Sequence, residues 1–145
     1  MSNRKSTTKK NPKAYAAMLG LEKFNNESGL DKVHYELIKI RASQINGCAY
    51  CLNMHTRDAR KLGVSEQKLY LLNAWRETTL YTTEERAILA LTEEMTLISQ
   101  HGVSDAVYNE ALTVLGDDYI GKVIIAVVTI NAWNRFGITD QLPLD

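Results

Sequence analysis

Residues 43–63 read SQINGCAYCLNMHTRDARKLG. The stretch holds both cysteines of the chain, Cys48 and Cys51, and then His55. Asn46-Gly47 breaks the chain just before Cys48 and Gly63 stops it again, so the punctuation predicts a helix over 48–62. On that helix Cys48, Cys51 and His55 fall within an arc of about 60°. Leu52, Ala59 and Leu62 share the stripe, and Asn53, Arg57, Arg60 and Lys61 lie opposite. Both sulfurs and the imidazole therefore face the protein. Cys48 stands at the helix start, where unpaired N–H groups favour a thiolate.

The segment before it, 31–45, opens at Asp31, a good N-cap. It sets Val33, Leu37, Ile40 and Gln44 on one stripe. Helical period and helical stops recur in every other segment: 12–25 after Pro12, 65–75 from Ser65, a helix capped at Thr82 or Thr83 with acids in its first turn, one ending at Gly116, and a last one ending at Gly137. The Val/Ile-rich run 123–130 has the composition of a buried strand but no partner strand anywhere in the chain. The expectation is an all-α fold of about seven helices, with residues 1–11 as a flexible basic arm and 12–145 as one domain.

Composition sets outer limits. The 145 residues are 45% apolar and 23% charged, with 17 basic and 17 acidic side chains. That is ordinary for a globular protein, and the charge balance points away from nucleic acid and from an anionic membrane. The N-terminal MSNRKSTTKKNPK is basic but is not followed by the long apolar run of a secretory leader, and the apolar run near 124 is too short to span a bilayer and has Lys122 beside it. A cytoplasmic protein is expected, and two cysteines in a reducing compartment are more often catalytic or metal-binding than structural.

Three readings of the cysteine stretch compete. Two small buried hydrophobes beside a satisfied core histidine is the plainest. Cys48, Cys51 and His55 as three metal ligands is the second, with His34 or His101 available as a fourth; a second C-x-x-C pair is missing. The third is a dithiol redox site, in which one thiolate attacks, the other closes a disulfide and an acid–base group moves protons. A thioredoxin setting is a poor fit, because the preceding segment is helix rather than strand. Glu36, on the helix before, reaches the same buried face if the two helices pair across Asn46-Gly47. A carboxylate there requires a partner; otherwise Glu36 is a solvated surface acid.

Glu36, eleven residues, Cys48, two, Cys51, three, His55: this order resembles the active-site pattern of the alkylhydroperoxidase AhpD-like family, within the carboxymuconolactone decarboxylase-like superfamily. ELIKIRASQINGCAYCLNMHTRDARKLG, LLNAWRETTLYTTEERAILALTEEMT and INAWNRFGI are all similar to its single-domain members, so the likeness covers most of 12–138. The resemblance implies an all-α fold, a homo-oligomer (trimer or hexamer foremost) and peroxidase chemistry without a cofactor or a resident metal. By it Cys51 attacks the peroxide and becomes a sulfenic acid, Cys48 condenses with it to a disulfide, and Glu36 with His55 relays protons. Reduction would come from a dithiol partner such as a lipoyl-bearing protein. The chain departs from the family where a second histidine would precede the second cysteine: Tyr50 stands there. The C-x-x-C pair argues against lactone decarboxylation, since decarboxylases of the superfamily lack it. Helix-dipole reasoning favours Cys48 as the more acidic thiol, whereas the resemblance makes Cys51 the attacker. Apart from the site, His34 and His101 are expected to be structural or exposed, Trp75, Trp133 and Arg135 to pack, and Asn131 and Asn134 to cap or bridge helices.

Overall fold

Residues 4–144 are described by the computed structural model of the chain, and among them every regular element is a helix. In order these are α1 (Thr7–Lys10), α2 (Pro12–Glu27), α3 (Lys32–Asn46), α4 (Ala49–Lys61), α5 (Glu66–Tyr70), a 3₁₀ segment (Leu72–Glu77), α6 (Thr83–Thr96), α7 (Ile98–His101), α8 (Asp105–Leu115) and α9 (Asp117–Asp140). The fold is all-α. The seven expected helices are α2, α3, α4, α5 with the 3₁₀ segment, α6, α8 and α9. A single turn such as α1 is too short for periodicity to reveal, and α7 is set off from α6 by Leu97 where the periodicity runs on unbroken.

One expected helix is broken. Over 65–75 the α-helix ends at Tyr70, and Ala74 leaves helical geometry (φ −116°, ψ 26°). Leu69, Leu72 and Trp75 are all buried, and their spacing of three matches the 3₁₀ repeat better than the α repeat. Packing of these three side chains decides the local winding.

Local chemistry sets the other boundaries. Asp31 Oδ1 accepts from Val33 N (2.8 Å) and His34 N (3.0 Å) and starts α3. Thr82 and Glu85 form a capping box at the start of α6. Gly47 ends α3 with φ 73°, a left-handed position that glycine adopts without steric cost and that turns the chain directly into α4.

Helix α3 is the centre of the fold, packed on α4, α6 and α9. One apolar group joins Ile38 to Ile88 and Leu91 of α6, Ala111 of α8, and Ile120, Val123, Val127 and Ile130 of α9. A second joins Leu37 and Ile40 to Ala59, Leu69, Leu72, Trp75 and Leu89. The single stripe expected on α3 is therefore too narrow: every residue from Tyr35 to Ile40 is buried. A helix surrounded on several sides has no solvent face for its polar residues, so Glu36, Lys39 and Ser43 are buried too and must find partners inside.

Of the arm expected over residues 1–11, residues 1–3 lie outside the described residues. Thr7 is bound to the far end of α9: its N–H and hydroxyl donate to Asp140 Oδ2 and Oδ1 at 2.6 and 2.7 Å. Arg4 donates to Thr139 O at 2.9 Å. No helix among the described residues is long and apolar enough to cross a membrane.

Candidate active site

The site is built where α3 turns into α4. Cys48 is the N-cap of α4, and its Sγ accepts from the backbone N–H of Cys51 at 3.3 Å. Three residues on, in the first turn, Cys51 brings its sulfur back to Cys48, and the two are joined as a disulfide with Cα atoms 5.3 Å apart. Both are almost wholly buried, at 1% and 3% exposure. His55, one turn further, is buried on the same face as Ala59, as the helical arc requires.

Glu36 meets this face from α3. Its Oε2 lies 3.1 Å from His55 Nδ1, and its Oε1 accepts from Lys39 Nζ at 2.7 Å. Glu36 is 8% exposed, which decides between the two sequence readings in favour of a buried, partnered acid. Lys39, 7% exposed, was not singled out by the sequence. Its ammonium also stands over the Tyr35 ring, 3.8 Å from the centroid, in cation–π contact. Only the knowledge that α3 is buried all round could have flagged a lysine at i+3 from Glu36. With Nδ1 engaged, His55 has Nε2 left for proton exchange.

A cavity of about 600 Å³ opens onto Cys51 and His55. Tyr15, Leu19, Met54, Trp133, Phe136 and Leu142 give it apolar walls, and Tyr50 lines it beside Cys51. Residues Ser6, Thr8 and Lys9 of the N-terminal segment edge it, and Asp140 lies at the same rim. Glu22 is its inner acid: the Tyr35 hydroxyl donates to Oε2 and Trp133 Nε1 to Oε1, each at 2.8 Å. Burial and the neighbouring Glu22 push the Tyr35 phenol far up, so it stays neutral.

Helix α9 supplies the last wall. Gly137 stands against the sulfurs, and a Cβ there would lie 3.1 Å from Cys48 Sγ and 3.5 Å from Cys51 Sγ. Read along the chain, Gly137 is a helix stop; in the structure α9 runs on to Asp140, and the glycine instead makes room for sulfur. Polar bridges fix α9 to α3. Asn46 Nδ2 donates to Asn131 Oδ1 and Asn134 Oδ1, both at 2.9 Å, and Asn134 Nδ2 donates to Ser43 Oγ at 2.9 Å. Asn131 and Asn134 do bridge helices. His34 pairs through Nδ1 with the Tyr119 hydroxyl at 2.7 Å, and His101 is exposed at the end of α7. Neither reaches the site.

With its sulfurs bonded to each other, the C-x-x-C pair has no thiolate to offer a metal in this state. Glu36, His55 and Asp58 do bring one ligand atom each within 4.8 Å of one another. A cation there would compete with the Lys39 ammonium already on Glu36. Asp58 itself is held below the usual carboxylate range, chiefly by its hydrogen bond from Lys61.

Comparison with known proteins fits this geometry. The profile of the carboxymuconolactone decarboxylase family matches residues 10–94. The uncharacterized protein YdfG of Bacillus subtilis is 41% identical over 138 residues, spanning 95% of this chain and 94% of that one. A solved structure from Agrobacterium tumefaciens, a protein of unknown function named as a candidate antioxidant defence protein AhpD, superposes with a TM-score of 0.95 at 36% identity and 99% coverage of both chains. Alkyl hydroperoxide reductase AhpD of Streptomyces coelicolor is 38% identical over 65 residues, 43% of this chain and 36% of that protein.

Proposed function

This chain belongs to the carboxymuconolactone decarboxylase family, and we propose that it is a thiol-dependent hydroperoxidase acting through Cys48 and Cys51. The observation that carries the reading is the cavity's contact with Cys51 and His55 while Cys48, bonded to Cys51, lies behind. Cys51 is thus the sulfur a substrate can meet. That supports Cys51 as attacker over the argument from the helix start, which favoured Cys48.

The cycle runs as follows. Cys51 thiolate attacks the distal peroxide oxygen of ROOH, the O–O bond breaks, and RO⁻ leaves as ROH after taking a proton. Cys51 becomes a sulfenic acid. The Cys48 thiol displaces hydroxide from that sulfur, released as water, and the disulfide closes. A dithiol partner then reduces it by exchange and is itself oxidised. His55, oriented by Glu36 at Nδ1, takes the Cys51 proton and returns it to the leaving oxygen. The apolar aromatic walls suit an organic hydroperoxide better than hydrogen peroxide.

Tyr50 beside Cys51 favours a second reading. The family pattern has a histidine at that place, and without it the same dithiol would serve general thiol–disulfide exchange without fast peroxide turnover. A homo-oligomer belongs to either proposal: Phe24 on α2 and Val128 on α9 are large apolar side chains left exposed. Hydroperoxide consumption with several dithiol reductants, a lipoyl-bearing protein among them, tests the main reading. Turnover lost in Cys51→Ser is expected. Disulfide exchange with no peroxide consumed would leave the second reading.

A further inference from the structure

Lys39 is a buried charge to which the proposed cycle gives no task. An ammonium taken out of water is costly, and an apolar side chain would fill the same space more cheaply. This one lies 2.7 Å from Glu36 Oε1 and 3.8 Å from the centre of the Tyr35 ring. The Glu36 carboxylate is divided between two partners: Oε1 takes Lys39, and Oε2 faces His55 Nδ1 at 3.1 Å.

The charges around it are few. On α3 they are Glu36 and Tyr35. From α4 come His55 and Asp58; the latter is bound to Lys61 and feels Lys39 only as a minor contribution. From α2 comes Glu22, reaching through the Tyr35 hydroxyl. Glu93 of α6 is engaged by Arg41, Trp75 and Arg76, and Asp140 of α9 by Thr7.

We infer that Lys39 is a positioning residue for the Glu36–His55 pair, neutralising the carboxylate and holding Oε1 so that Oε2 is left for His55 Nδ1. The inference rests on the dithiol reading of the site. With Lys39 present, Oε1 is held and Oε2 stays directed at His55 Nδ1, which keeps the imidazole oriented toward the sulfurs' side of α4. With Lys39 neutralised, Oε1 is no longer held, Glu36 can turn away from His55 Nδ1, and an imidazole so released is a poorer acceptor for the Cys51 proton.

The test uses reduced protein carrying Cys48→Ser, so that Cys51 is the only thiol, and follows iodoacetamide alkylation from pH 6 to 9. Lys39→Met and Lys39→Gln are expected to move the profile toward higher pH by about one unit, making alkylation at pH 7 about tenfold slower. Lys39→Arg, whose longer, forked donor must reset the Glu36 contact, should move the midpoint in the same direction by a smaller amount. In a Glu36→Gln background Lys39→Met should add little, because the lysine acts through that carboxylate. Superimposable profiles for Lys39→Met and its parent would overturn the inference, as would full additivity with Glu36→Gln. If both neutral variants fail to fold, Lys39→Arg and the ring ¹⁵N signals of His55 decide. A longer, forked donor must disturb the Glu36 contact and shift those signals, and unchanged signals would count against the role. A moved profile without hydroperoxide turnover leaves the inference standing and removes the peroxidase; turnover with an unmoved profile does the reverse.

Discussion

Gly137 and Cys48 are in contact across two helices: a Cβ on the glycine would stand 3.1 Å from the cysteine's Sγ. The contact ties the disulfide to α9, twenty residues into a helix that shares no local sequence with the C-x-x-C turn. Gly137→Ala should therefore act on the redox couple. In the oxidised protein both sulfurs lie against α9, and reduction breaks the bond that holds Cys51 there beside the cavity it lines. Overpacking of about 1 kcal/mol felt by the oxidised form alone would raise the potential by about 20 mV. Equilibration with a dithiol buffer measures this, and an unchanged potential would mean that the sulfurs yield equally in both states.

The two cysteines should separate by product. Cys51→Ser is expected to abolish hydroperoxide reduction. Cys48→Ser should permit one oxidation per chain and leave a sulfenic acid that dimedone labels, since no disulfide can close. Mass spectrometry of the labelled protein reads the difference, and labelling at Cys48 in Cys51→Ser instead would reverse the assignment of attacker and resolver.

Glu36→Gln keeps the shape of the side chain and removes its charge from His55 and Lys39. Turnover should fall by up to about 10²–10⁴-fold, the usual contribution of a general base, because His55 loses the carboxylate that orients it. Circular dichroism should show the helices intact. Equal turnover in variant and wild type would make the buried pair structural.

Acid stability should depend on Glu93. Burial would raise its carboxyl, but hydrogen bonds from Trp75, Arg76 and Arg41 outweigh this and hold it below the ordinary carboxylate range. A depressed folded value contributes stability that is present above the unfolded value of about 4.3 and is lost as pH falls through the folded one. Thermal melts should therefore show wild type losing stability below about pH 4. Glu93→Gln should be weaker at pH 7 by about 2 kcal/mol, with the gap to wild type closing in acid. A gap that stayed constant from pH 3 to 7 would show that the charge of Glu93 contributes nothing.

The sequence by itself determined the helices and which side chains of the candidate site share a face. Asp31, Gly47 and the Thr82–Glu85 box set boundaries because caps act within a few residues. The helical repeat put Cys48, Cys51 and His55 on one face, since it depends on spacing alone. Tertiary structure decided what depends on neighbours far along the chain. It wound 72–77 as 3₁₀ to bury Leu72 and Trp75. It placed α3 between α4, α6 and α9, and so turned Glu36 from a possible surface acid into a buried partner of His55 and made Lys39 part of the site. It also set Gly137 against sulfur about ninety residues away in sequence. A repeat of 3.6 residues tells which face a side chain is on. What that face meets is fixed only when the helices pack.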